Sequence, residues 1–183
     1  WVATDFSNLW CLDQALEHYD HEDGLGAGLT TSLVRSPDGG LLAGHFSHSG
    51  QGGLFQSAAD SAIHFSEVAG PFAGLSAGAV WDASGRLLAN VWGDGLYLRH
   101  KSMWEKISPK SAAAQVWVAP DGAVWMGSVG EGLRRWDGRE LTRLSERTRI
   151  NGSWVHELTP APDGGLWVAA SRFHGREVGG LVK

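Results

Sequence analysis

The chain has 183 residues, 43% of them hydrophobic and 19% charged, with a formal net charge of −5. That composition excludes disorder as the overall state, because apolar material is ample and charge is modest. With 15 Lys and Arg against 20 Asp and Glu, and no basic cluster, a strongly basic nucleic-acid binder is excluded too, and no window approaches the roughly 18–20 apolar residues of a membrane helix.

The elements follow one another in cycles. The chain opens inside an apolar run, Trp1-Val2-Ala3-Thr4, followed by Asn8-Leu9-Trp10 and the alternating Leu16-Glu17-His18-Tyr19. The second cycle starts one strand earlier, with Ser32-Leu33-Val34-Arg35 and a Pro37-Asp38-Gly39 turn. It continues through Leu41-Leu42-Ala43-Gly44, Gly53-Leu54-Phe55 and Ala62-Ile63-His64-Phe65. The third runs from Ala79-Val80-Trp81 through a degenerate turn, Ala83-Ser84-Gly85, to Leu87-Leu88-Ala89-Asn90, Gly95-Leu96-Tyr97 and Trp104-Glu105-Lys106-Ile107. The fourth comprises Val116-Trp117-Val118, Pro120-Asp121-Gly122, Val124-Trp125-Met126-Gly127, Gly132-Leu133-Arg134 and Leu141-Thr142-Arg143-Leu144. The fifth comprises Val155-His156-Glu157-Leu158, Pro162-Asp163-Gly164, Leu166-Trp167-Val168-Ala169 and Gly180-Leu181-Val182.

A unit of four short strands in roughly 40–45 residues is the signature of a β-propeller blade. The expected fold is therefore all-β: a propeller of four-stranded antiparallel blades. The blades are expected at 1–28 (partial), 29–75, 76–112, 113–153 and 154–183 (partial). The partial blades both lack an end strand and cannot complete one another, so the expectation is an open arc of about five blades cut from a longer propeller. A blade cannot bury both faces alone and must stack on its neighbours. This explains the 26 glycines and 10 tryptophans. Trp1, Trp125 and Trp167 share one column with Leu42 and Leu88, and a large side chain there would fill the wedge between blades. Small residues two places on would allow close backbone approach. Cys11 is the only cysteine, so no internal disulfide forms, and it reads as a small buried strand residue.

Asp163-Gly164-Gly165-Leu166-Trp167-Val168-Ala169-Ala170, Glu131-Gly132-Leu133-Arg134-Arg135-Trp136-Asp137 and Leu16-Glu17-His18-Tyr19 with Glu22-Asp23-Gly24-Leu25 resemble successive parts of the two-component regulator propeller repeat. The resemblance covers nearly the whole chain, although the runs from Leu41 and from Leu87 lack the tryptophan. It implies a non-catalytic, ligand-sensing role in the extracytoplasmic, periplasmic part of a bacterial inner-membrane receptor. It further implies a histidine kinase or diguanylate cyclase as output domain, a glycan or other small-molecule ligand, and a dimer of the full-length receptor.

Strands are named a to d from the axis outward. The Pro-Asp-Gly turns join a to b on one face, and the b–c loops lie on the other. From the small residue of strand b to the residue before the leucine of strand c is five residues in three blades. It is nine from Gly44 to Gly53 and eleven from Ala169 to Gly180. Insertions on one face of a repeat array mark a binding face. The inserted loops supply the candidate ligand residues His45, His48, Gln51, Arg172, His174 and Arg176, whose donors suit a carbohydrate or a carboxylated ligand. His45 and His48 lack a helix to fix them and a third ligand, so no metal is expected, and no cofactor.

Two other readings stand beside the sensor. One is an enzyme similar to the metal-dependent streptogramin lyases, with His156 or Glu157 facing the axis. The other is a protein-interaction platform. No nucleic-acid partner and no membrane contact by this segment is expected.

Overall fold

The computed structural model describes residues 2–4, 8–13, 15–26, 28–47, 52–58, 64–72, 77–111, 113–144, 153–172 and 180–182. They form five antiparallel sheets in chain order. Blade 1 holds β1 (Val2–Thr4), β2 (Asn8–Asp13) and β3 (Ala15–Tyr19). Blade 2 holds β4 (Leu29–Arg35), β5 (Leu41–Phe46), β6 (Gly53–Ser57) and β7 (Phe65–Glu67). Blade 3 holds β8 (Ala77–Trp81), β9 (Leu87–Val91), β10 (Gly95–His100) and β11 (Met103–Lys106). Blade 4 holds β12 (Ala113–Val118), β13 (Val124–Ser128), β14 (Gly132–Trp136) and β15 (Leu141–Arg143). Blade 5 holds β16 (Ser153–Pro160), β17 (Leu166–Arg172) and β18 (Gly180–Val182). Each blade packs on the next, and no comparable packing joins blade 5 to blade 1 among the described residues, so these blades form an incomplete propeller.

The a–b turns show how local chemistry sets the repeat. In each, the glycine adopts a left-handed conformation: Gly39 at φ 96°, Gly85 at 74°, Gly122 at 82° and Gly164 at 84°. The preceding aspartate side chain accepts a backbone N–H two residues on: Asp38 from Gly40 at 3.2 Å, Asp121 from Ala123 at 3.0 Å and Asp163 from Gly165 at 3.1 Å. The degenerate third copy makes the same turn from a different position. There Asp82 accepts from the backbone N–H groups of Ser84 and Arg86, and its carboxylate meets the Arg86 guanidinium at 2.6 Å.

Alternation then divides each b strand between two neighbours. Leu41 and Ala43 face blade 1, with Leu25, Phe55 and Phe65, whereas Leu42 faces blade 3. Leu87, Ala89 and Val91 face blade 2, and Leu88 faces Val124 and Met126 of blade 4. Full burial of each such leucine, valine or phenylalanine side chain stabilises by about 1.5–3 kcal/mol. The small-residue column works as expected at Gly127, where a Cβ would overlap the Val155 side chain of blade 5. Blade 3 solves the same problem differently. Asn90 is fully buried, its amide donates to the Ala113 carbonyl, and its Oδ1 accepts from Ser111 Oγ at 3.3 Å.

Three expectations need correction. Among the described residues the outer strand of blade 2 is Phe65–Glu67, with His64 outside it and with Ala62 and Ile63 lying outside the described residues; a short edge strand is held by few hydrogen bonds and its sequence barely constrains it. The wedge column is uneven: Trp125 packs against the blade 5 core, whereas the shorter leucines leave the wedge unfilled. Where leucine takes the column, grooves remain, of about 490 Å³ over Leu42 and about 520 Å³ over Leu88. Finally, β5 runs on to Phe46 and β17 to Arg172, so the inserted loops begin later than the spacing implied.

Candidate functional site at the axis

The innermost strands β4, β8, β12 and β16 surround a cavity of about 300 Å³. One register position recurs around it. Ser32 pairs with Gly44, Gly78 with Asn90, Gln115 with Gly127, and Glu157 with Ala169. Each of these four a-strand residues lines the cavity, joined by Thr31, with Leu33, Val34, Ala79, Val116 and Leu158 supplying the apolar part of the wall.

β-Bulges aim this layer. The a–b register shifts between Thr30 and Ser32, between Ala113 and Gln115, and between Val155 and Glu157. An extra residue resets which face the next side chain takes. Val155 is fully buried towards blade 4, and in an unbroken strand Glu157 would share its face. The bulge at His156 moves Glu157 off that face, so that it is exposed and lines the cavity. Blade 3 carries Gly78 in an unbulged register, which leaves space on that side. Across the axis, Gln115 Nε2 donates to the Thr31 carbonyl of blade 2 at 3.4 Å, and Thr31 Oγ1 donates to the Gly44 carbonyl at 3.1 Å.

The rim above this layer is unequal. On the b–c face, blades 3 and 4 add one a–b pair each, Ala77 with Val91 and Ala113 with Ser128. Blade 2 adds two, Thr30 with His45 and Leu29 with Phe46. Blade 5 adds three, Val155 with Ala170, Trp154 with Ser171, and Ser153 with Arg172. At about 3.4 Å per residue, blades 2 and 5 stand roughly 3 Å and 7 Å above the blades between them. Phe46 leans on Trp92 of blade 3, with ring centroids 5.1 Å apart. On the other wall, Trp154 stacks on His156 at 5.4 Å and is 39% exposed, and His156 Nε2 lies 2.7 Å from Ser171 Oγ.

The candidates drawn from the sequence are placed unevenly. His45 is a strand residue and not a loop residue. It is fully enclosed, with Nε2 3.3 Å from Thr30 Oγ1 and its ring edge-on to Phe55. Desolvation lowers its pKa to about 4, against a weaker opposite influence from the Gly26 backbone. His45 therefore stiffens the blade 2 wall instead of offering donors to solvent. Arg172 closes β17, its backbone opposite Ser153. His48, Gln51, His174 and Arg176 lie outside the described residues. Of the pair His156 and Glu157, the glutamate lines the axis and the imidazole belongs to the rim. Thr31, Ser32 and Gln115 were not singled out from the sequence. One signal marks the layer: each of its four residues stands twelve places before the small residue of its own b strand.

Together the sheets and their axial cavity define an incomplete β-propeller. No family model and no curated protein matches the chain. Solved structures with the same fold include the extracellular domain of the one-component system BT4673 from B. thetaiotaomicron, at 14% identity and TM-score 0.71 over 90% of this chain and 24% of that one. A catalytically inactive virginiamycin B lyase from Staphylococcus aureus is similar at 13% identity and TM-score 0.66, over 97% of this chain and 63% of the lyase. A gluconolactonase is similar at 16% identity and TM-score 0.62, over 91% and 65%. The chain thus spans less than two thirds of each of these structures. Among the described residues no helix is long and apolar enough to cross a membrane.

Proposed function

We propose that this chain is the ligand-binding segment of an extracytoplasmic β-propeller in a bacterial signalling receptor, and that it acts by binding and not by chemistry. The ligand is a small polyhydroxylated molecule such as a glycan fragment. The observation that carries this reading is the polar axial layer of Ser32, Gln115 and Glu157 beneath a rim raised on blades 2 and 5. A cavity of this size with a few convergent polar groups suits a small ligand, and the exposed Trp154 face suits the apolar face of a sugar ring. The similarity of fold to the BT4673 extracellular domain supports the receptor setting.

On this reading His48, Gln51, Arg172, His174 and Arg176 contribute to ligand recognition. The remainder of the propeller and a kinase or cyclase output domain belong to the same receptor, which sits in the inner membrane with this segment in the periplasm and signals as a dimer. Calorimetry of the chain against a saccharide panel, with and without a chelator, tests the reading. Chelator-independent binding without turnover is expected. Metal-dependent turnover would defeat it in favour of a lyase-like enzyme. Replacing Arg172, His174 and Arg176 together by Ala is expected to weaken binding, and unchanged affinity would remove the loops from the site.

A further inference from the structure

The lining of the axial cavity is chemically lopsided. Thr31 and Ser32 supply hydroxyls from blade 2, Gln115 supplies an amide from blade 4, and Gly78 leaves open space on blade 3. Glu157 is the one charged side chain among the described residues that line it. A bulge turns this carboxylate out of the blade 4–5 interface and into the cavity, where it is exposed and ready to meet a ligand. The rest of the wall is neutral, so the cavity presents hydroxyls, one amide and one full negative charge.

Resting on the ligand-binding reading above, we propose that the axial cavity selects polyhydroxylated ligands that carry an ammonium group, amino sugars in particular, and discriminates against uronates. Thr31 Oγ1 and Gln115 Oε1 meet the sugar hydroxyls as acceptors beside Ser32, since Thr31 and Gln115 already donate to the Gly44 and Thr31 carbonyls, and Glu157 accepts from the ammonium. A charge-assisted hydrogen bond is roughly twice as strong as a neutral one. A ligand carboxylate placed beside Glu157 meets like-charge repulsion instead, so selection works by attraction and by rejection.

Calorimetry with three disaccharides of one linkage tests this: a glucosamine dimer, the neutral glucose dimer and a glucuronate-containing dimer. The glucosamine dimer is expected to bind about tenfold tighter than the neutral one, the solvent-open site holding the gain to that size. The uronate dimer is expected to bind weakest. Glu157→Gln is expected to erase the preference for the amine while neutral binding persists. Glu105→Gln, on the turn-face groove, is expected to change nothing. Equal affinity for all three sugars, or a preference that survives Glu157→Gln, overturns the selectivity while leaving the ligand-binding reading intact. Absence of binding by every member of the panel overturns both.

Discussion

The two faces of the arc are built by the same repeat and differ in kind. On the a–b face four turns close with the same glycine conformation, three of them with the same aspartate-to-backbone bond, and the degenerate copy at Ala83-Ser84-Gly85 reaches that conformation through Asp82 instead. On the opposite face the blades end at different heights, bulges break three a strands, and the polar axial layer lies just below. Uniform turn chemistry holds the blades in register. Variation is confined to the face where a taller wall costs the neighbouring blades nothing.

The contrast can be broken hardest at Gly24. Its φ of 89° belongs to the left-handed region, and a Cβ there would overlap the Phe65 carbonyl of blade 2. Gly24→Ala is expected to destabilise by more than about 3 kcal/mol, combining backbone strain with a clash against main chain, as read by urea denaturation. A cost as small as that of a turn-face glycine would show that the blade 1–2 junction yields.

His45 gives the irregular face a pH dependence. Its pKa is lowered to about 4 in the fold from 6.5, so the unfolded chain binds the proton first. The stability it contributes is complete above about pH 6.5 and falls as pH drops towards 4, by up to roughly 3 kcal/mol. His45→Gln is expected to flatten that part of the stability–pH curve; an unchanged slope would assign the loss to other groups.

Smaller effects sharpen the comparison from the turn face. Leu88→Trp places the side chain that Trp125 carries in the next blade over the groove of about 520 Å³. It is expected to stabilise by about 1 kcal/mol, and a lower melting temperature would mean the wedge is already full. Gly122 has φ 82° with open space around its Cβ position. Gly122→Ala is therefore expected to cost only about 1 kcal/mol, from backbone strain alone.

The same division explains what was legible in the sequence. Pro-Asp-Gly turns and alternating apolar strands act locally, so the blades and their incompleteness could be read directly. Strand ends could not. His45, Phe46, Ser171 and Arg172 have loop-like composition, yet each pairs because the a strand beside it is long. The axial layer escaped for another reason: Ser32, Gly78, Gln115 and Glu157 share no chemistry, only a register. Bulges, which decide that Glu157 and not His156 lines the axis, leave no mark in the pattern of residue types.

The central claim is that a small ligand sits on the axial layer between the raised blades. A crystal structure of the chain soaked with the tightest-binding saccharide tests it most directly. Density for the sugar within hydrogen-bond distance of Ser32, Gln115 and Glu157 is expected. An empty axis, with the sugar in the Leu42 or Leu88 groove of the turn face, would contradict it.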